Sequence, residues 1–269
     1  GNAGDDPILG GSGGGDRGEG NPGDNIHGDI GDDVILGDNG YVTRDGSDTV
    51  VDASTTDPDK GGKDTIYGNQ GEDIILGGAS GDTLEGNEDD DVILGDNGHL
   101  DYRANDADLT SLDVVSCTDP TVGGSDVIIA GGGEDLVFGG TASDTISGDE
   151  GHDILLGDHG SWDDSRPLNQ QFLCIYTGGA DGGDADIIHG KAGDDFILGE
   201  QGSDELYGGA DEDDITGGHN VPGGSDTGDV MYGESGTGEG DADGSGADVM
   251  LGDNGLIVRP LEDGDWIEN

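Results

Sequence analysis

The residues of this chain that could do chemistry are its aspartates, and they recur on a fixed spacing. Residues 28–36 read GDIGDDVIL, 68–76 GNQGEDIIL, 130–138 AGGGEDLVF, 148–156 GDEGHDILL and 190–198 GKAGDDFIL. Each nonapeptide has small residues at positions 1 and 4, Asp at position 6 and an aliphatic residue at position 8. A carboxylate placed where a glycine-rich turn ends offers oxygen ligands to a hard cation. Calcium takes six to eight such ligands, and carboxylates with turn carbonyls supply them. Other chemistries find little support. There is no HExxH motif, and His27, His99, His152, His159, His189 and His219 show no metal-ligand spacing and are expected at the surface. GGSGG at 10–14 satisfies G-x-S-x-G, but nothing around it predicts the strand-to-helix turn that gives the motif meaning. Carboxylates are so abundant that no pair stands out as acid and base. No catalytic site is expected.

Composition alone points the wrong way. The chain has 269 residues, with 63 acidic and 8 basic ones, a formal net charge of -55, 60 glycines and only 29% hydrophobic residues. Such a polymer ordinarily stays disordered, because it buries too little apolar surface to offset chain entropy. Periodicity argues against disorder, since regular repeats can stack into a continuous core. Dense like charge opposes compaction unless counter-ions bind. It also excludes a nucleic-acid partner, which needs a basic face, and an anionic membrane surface would repel it. No apolar run is long enough to span a bilayer, so direct membrane insertion is not expected. No signal peptide is visible and residue 1 is Gly, which fits a piece of a longer protein.

The elements that must position the aspartates follow from the same frame. The nonapeptide register runs from Gly1 to Leu36, closing with GDNG at 37–40, and from Asp59 to Leu94, closing with GDNG at 95–98. It resumes from Thr121 to Leu156, closing with GDHG at 157–160, and from Asp181 to Thr216, reaching GDNG at 252–255 after an interruption. The chain thus divides into super-repeats 1–58, 59–120 and 121–180 and a longer, irregular 181–269, all within a single elongated unit. Strand alternation puts position 8 on the opposite face from positions 7 and 9. One apolar residue per nine then points inward: Ile35, Ile75, Leu84, Ile93, Val137, Ile146, Leu155, Ile197, Leu206 and Ile215. No segment has helical periodicity.

Three inserts, 41–58, 99–120 and 161–180, and a tail at 256–269 interrupt the repeats. They hold Tyr41, Tyr102, Trp162, Phe172, Tyr176 and Trp266, and each insert reads as two short strands around a polar turn. Blocks end in three consecutive apolar residues, Val34-Ile35-Leu36, Val92-Ile93-Leu94, Ile154-Leu155-Leu156 and Val249-Met250-Leu251. The outward pair of each triplet wants a cover. Hairpins formed by the inserts are the expected cover, and another chain is the alternative. Arg44, Arg103, Arg166 and Arg259 follow the block exits and are expected to orient the hairpins through ion pairs with repeat carboxylates. Cys117 and Cys174 lie in the returning strands of consecutive inserts, where stacked hairpins would let them pair. Such a candidate disulfide fits an oxidising exterior, and two free thiols are the rival reading.

The nonapeptides resemble the repeats-in-toxin (RTX) motif G-G-x-G-x-D-x-U-x, in which U is a large aliphatic residue. The resemblance implies an all-β fold, a parallel β-roll or β-helix solenoid with two nonapeptides per coil and calcium between stacked turns, here with hairpin inserts about every sixty residues. Carried over by position, it implies calcium ligation by Asp6, Asp24, Asp33, Asp64, Asp73, Asp82, Asp91, Asp126, Asp135, Asp144, Asp153, Asp186, Asp195, Asp204, Asp213, Asp229 and Asp248. Two stretches depart from the motif. In 10–18, Gly15 and Arg17 stand at positions 6 and 8, and in 233–242 Gly238 stands at position 6 with one residue too many. DADGSG at 241–246 resembles the start of an acidic calcium loop, but Gly252 stands at its twelfth position, where an EF-hand has Glu.

These features imply a calcium-binding structural module of a secreted or cell-surface protein of bacterial type: a matrix fibre, surface layer or adhesin stalk. Its partners are calcium and copies of itself, stacked head to tail or side by side, since neither end shows an obvious cap. One alternative is a calcium-triggered carrier that passes through type I secretion with a toxin or hydrolase. Another is a polysaccharide-binding module using the insert aromatics.

Overall fold

The computed structural model describes residues 3–11, 23–104, 112–163, 175–177, 183–219, 228–234 and 248–252. Each nonapeptide turns through its glycines and then runs extended, and successive nonapeptides alternate between two parallel sheets. Three-residue strands form one sheet: β1 (Pro7–Leu9), β3 (Val34–Leu36), β7 (Ile74–Leu76), β9 (Val92–Leu94), β13 (Leu136–Phe138), β15 (Ile154–Leu156), β19 (Phe196–Leu198), β21 (Asp214–Thr216) and β23 (Val249–Leu251). Six-residue strands form most of the other: β2 (Asn25–Ile30), β6 (Thr65–Gln70), β8 (Thr83–Glu88), β12 (Val127–Gly132), β14 (Thr145–Glu150), β18 (Ile187–Ala192) and β20 (Glu205–Ala210), followed by the shorter β22 (Val230–Glu234). Both sheets stack in chain order. Thr65 pairs with Thr83 and Ile74 with Val92, so one coil consumes two nonapeptides, as a β-roll requires.

The register changes at the first coil. Pro7 of β1 pairs with Val34 of β3, three nonapeptides on rather than two. Among the described residues, no strand lies between them in the sheet order. The interval includes the repeat 10–18, whose Gly15 and Arg17 supply neither a carboxylate nor an apolar anchor, and both residues lie outside the described ones.

A third, antiparallel sheet is built from the inserts: β4 (Gly40–Arg44) with β5 (Val50–Thr55), β10 (Gly98–Asp101) with β11 (Val114–Cys117), and β16 (Gly160–Asp163) with β17 (Ile175–Thr177). The hairpins also pair with each other, giving the continuous order β17-β16-β11-β10-β5-β4. This sheet lies on the outer face of the short-strand sheet, so the molecule has two apolar layers. The inner layer, between the parallel sheets, contains all ten residues expected there, joined by Ile26, Ile66, Ile128 and Ile188. In the outer layer, Leu36, Leu76, Leu94, Phe138, Leu156 and Leu198 pack against hairpin residues Ala53, Leu100, Val115 and Ile175. The expected cover is therefore present. It serves every short strand from β3 to β19 and not block ends alone, because all of these carry apolar residues at positions 7, 8 and 9. At the far end, Val249 and Met250 remain exposed.

Of the insert aromatics, Tyr102 and Trp162 pack against the outer layer, Tyr41 and Tyr176 are exposed, and Phe172 and Trp266 lie outside the described residues. Among the described residues no helix is long and apolar enough to cross a membrane.

Candidate metal sites

The position-6 aspartates form two rows, one at the start of each parallel sheet. One row is Asp24, Asp64, Asp82, Asp126, Asp144, Asp186, Asp204 and Asp229, each just before a long-sheet strand. The other is Asp6, Asp33, Asp73, Asp91, Asp135, Asp153, Asp195, Asp213 and Asp248, each before a short strand. All are buried except Asp6, Asp24, Asp229 and Asp248, which lie near the ends of the rows and are half-buried.

Each carboxylate reaches back one coil. The Asp64 N–H donates to Asp82 Oδ1 at 2.7 Å, Asp126 to Asp144 at 2.8 Å and Asp186 to Asp204 at 2.9 Å. In the second row Asp33 donates to Asp73 at 2.7 Å, Asp91 to Asp135 at 2.7 Å and Asp195 to Asp213 at 3.0 Å. The ladder extends to the half-buried members: Asp6 donates to Asp33, Asp24 to Asp64, Asp204 to Asp229 and Asp213 to Asp248. One carboxylate oxygen thus stitches neighbouring coils.

The second oxygen is left over. Oδ2 of Asp33, Asp64, Asp73, Asp82, Asp91, Asp126, Asp135, Asp144, Asp153, Asp186, Asp195 and Asp213 is buried and accepts no hydrogen bond. These atoms face glycines whose missing side chains leave them room. A Cβ built on Gly37 would lie 2.5 Å from both Asp64 Oδ2 and the Gly77 carbonyl oxygen. One on Gly28 would lie 2.5 Å from Asp33 Oδ2 and 2.6 Å from the Gly68 carbonyl oxygen. Glycine is required there because a carboxylate oxygen and a carbonyl oxygen of the adjoining coil crowd the same point.

An ionised carboxylate without partners in a water-poor interior is costly. Burial, reinforced by like-charged neighbours, pushes Asp64, Asp73 and Asp135 up to about 7 and Asp153 and Asp213 to about 8. Asp82, Asp91 and Asp195 rise to about 9, Asp186 to about 10 and Asp144 to about 11; Asp126 rises well above its ordinary value. The rows need either protons or cations. Their donor set is all oxygen, which suits calcium. Among the described residues no three His, Cys, Asp or Glu side chains converge on one point. A calcium ion held here would therefore combine aspartate Oδ2 atoms with main-chain carbonyls, and would supply the charge that lets adjacent coils approach.

A third set of aspartates carries structure that the repeat pattern did not reveal. In the block-closing GDNG and GDHG segments, Asp38, Asp96 and Asp158 are buried. Asp38 accepts from the Gly62 N–H at 3.1 Å and the Ala79 N–H at 2.7 Å, and Asp96 from Gly124 at 2.9 Å and Thr141 at 2.5 Å. Asp158 accepts from the Gln201 N–H at 2.7 Å. Each pins the start of the next coil beside the exit to an insert. The signal was the repetition of G-D-N/H-G at every exit, outside the nonapeptide frame.

Three expectations need correction. His159 and His219 are buried, not superficial. The Nε2 of His159 lies 3.0 Å from Thr141 Oγ1, and burial lowers its pKa to about 4. The two described arginines of the inserts pair within the hairpins rather than with repeat carboxylates. Arg103 faces hairpin residues Asp52 at 3.4 Å and Asp101 at 4.0 Å; Arg44 faces Asp48 at 3.5 Å and donates to the Asp5 carbonyl at 3.2 Å. Arg166 and Arg259 lie outside the described residues. Finally, the returning strands of consecutive inserts are not neighbours, because β16 lies between β11 and β17. Cys117 is a free thiol, and Cys174 lies outside the described residues, as does the 241–246 loop.

The family model for the RTX calcium-binding nonapeptide repeat matches the chain in four copies, over residues 60–83, 67–99, 121–158 and 181–218. No curated protein and no solved structure matches it. The matched segments contain the aspartates from Asp64 to Asp213 in both rows.

Proposed function

Because the chain carries RTX calcium-binding nonapeptide repeats, we propose that it serves as a calcium-folded structural module of a secreted or cell-surface protein, of the matrix-fibre, surface-layer or adhesin-stalk kind. Proteins with this repeat are typically secreted and bind several calcium ions per array. The observation that carries the structural reading is the six-stranded hairpin sheet laid along the roll. A carrier that only has to fold after export has no need of a second apolar layer. Here Leu100 and Val115, both fully buried, lock the inserts onto the short-strand sheet. Cations hold the coils along the stack and the hairpin sheet ties them from the side, which suits a part that bears tension.

Outside the cell, calcium binding only the folded state stabilises it by mass action. Self-association belongs to the same proposal: β1 and β23 are the outermost strands of the short-strand sheet, and each pairs on one side only in the described structure. The polysaccharide reading has less to stand on, since Tyr102 and Trp162 are spent on packing. The test is single-molecule stretching of the full chain, with light scattering alongside. A structural module gives a distinct unfolding force in millimolar calcium and extends without resistance in chelator. Featureless extension in both would overturn the proposal.

A further inference from the structure

The second residue after each short strand alternates down the stack. Asp38 is followed by Gly78 in the next coil and Asp96 by Gly140, but Asp158 is followed by Glu200. The glycine is the expected occupant. Gly78 has φ +108° and Gly140 φ +113°, and a Cβ there would lie 2.7 Å from Asp38 Oδ2 and 2.5 Å from Asp96 Oδ2. Glu200 keeps the left-handed backbone, with φ +71°, although it has a side chain. Its carboxylate is fully buried, and neither oxygen accepts a hydrogen bond.

Its neighbours are themselves acidic. The next residue, Gln201, donates its N–H to Asp158 Oδ2 at 2.7 Å. A Cβ on the preceding residue, Gly199, would lie 2.5 Å from Asp204 Oδ2. Asp158, Asp186 and Asp204 all act on the Glu200 carboxylate as like charges. His219, also fully buried, places its Nδ1 3.6 Å from Glu200 Oε2, within ion-pair reach but longer than a hydrogen bond. In the two earlier super-repeats the aspartate at this place accepts from two backbone N–H groups and meets only glycine, and Asp158 likewise draws on the backbone N–H groups of Gln201 and Asp184. Among the described residues, the third differs in that an additional buried carboxylate arrives, at a position outside the G-G-x-G-x-D-x-U-x motif.

We propose that Glu200 is a calcium ligand, closing with Asp158 and the adjoining row aspartates Asp186 and Asp204 a site that the nonapeptide motif does not specify. The inference rests on the calcium-binding reading of the rows. No preformed three-side-chain shell exists there, so the ion draws these groups together with main-chain carbonyls. More carboxylate charge around one ion raises affinity, which makes this the tightest site of the chain.

The test is calcium stoichiometry and affinity of the full chain by native mass spectrometry and calorimetry, with calcium alone as the probe. Glu200→Gly restores the residue used at Gly78 and Gly140 and suits the left-handed backbone; Glu200→Gln keeps the size and removes the charge. Both are expected to bind one calcium fewer than the parent, losing the tightest class, while the remaining ions and the calcium-induced β signal persist. An unchanged ion count and affinity in Glu200→Gly would overturn the proposal and identify Glu200 as a buried neutral acid. Absence of calcium binding by the parent chain would instead remove the calcium reading as a whole.

Discussion

Replacing Asp73 by Asn separates the two jobs of a row carboxylate. Asp73 is fully buried, its Oδ1 accepts the Asp33 N–H at 2.7 Å, and its Oδ2 accepts nothing. Asn keeps an acceptor for the first and removes the charge from the second. Burial raises Asp73 to about 7 from its ordinary 3.8, with a lesser push from Asp33. A raised folded-state pKa gives stability that is complete below about pH 4 and lost as pH climbs through about 7. Between those limits the folded state binds one more proton, and stability falls by about 1.4 kcal/mol per pH unit. Above pH 7, and without calcium, the ionised carboxylate costs on the order of 4 kcal/mol as an upper figure. Asp73→Asn therefore acts in opposite directions in two solutions. In chelator at pH 8 it favours the roll and removes about one proton from the pH dependence of unfolding. In calcium it deletes a ligand and moves the folding midpoint to higher calcium. Circular dichroism with denaturant, from pH 4 to 8, in chelator and in calcium, reads both. Equal destabilisation in the two solutions would refute the reasoning, because Oδ2 would then be an ordinary structural oxygen.

For the whole chain in chelator, β-signal should grow as pH falls from 9 towards 4, since Asp64, Asp135, Asp153 and Asp82 titrate at about 7, 7, 8 and 9; a signal independent of pH would count against protons and calcium competing for one set of oxygens. Leu100→Ala should cost about 2–5 kcal/mol and speed hydrogen exchange in β10 and β11 without changing the calcium count; unchanged exchange would mean that the outer layer is dispensable. Arg103→Ala, removing a half-exposed pair with Asp52, should cost at most about 1 kcal/mol and loosen exchange across β5 and β10, and a large shift in calcium midpoint would contradict a role confined to the hairpins. Gly37→Ala should raise the calcium midpoint, since its methyl would crowd both Asp64 Oδ2 and the Gly77 carbonyl; an unchanged midpoint would disprove the glycine's part in the site.

The roll and its aspartate rows were legible because both depend on residues nine apart in one frame. Periodicity placed Ile35, Leu84 and Leu155 inside without reference to any contact. The outer layer was half legible. Apolar triplets at block ends gave it away, but Leu136-Val137-Phe138 and Phe196-Ile197-Leu198 carried the same message and show that the distinction lies between alternating nonapeptides. The rest depends on relations that spacing along the chain does not encode. Asp38, Asp96 and Asp158 act across an insert, on N–H groups about 24 to 45 residues away. Pairing the cysteines required a sheet order, and placing β16 between β11 and β17 is a result of hairpins packing against one another. Arg103 found Asp52 rather than a row carboxylate because the rows lie in the turns between coils, while Arg103 projects from the hairpin sheet.

The central claim is that cations, not a conventional apolar interior, bring these coils together. Its most direct test is a calcium titration of the full chain at pH 8, starting in excess chelator, followed by circular dichroism and small-angle scattering. The account predicts an expanded, largely unordered chain that becomes compact and β-rich as several ions bind cooperatively. A chain already compact and β-rich in chelator, and indifferent to added calcium, would contradict it.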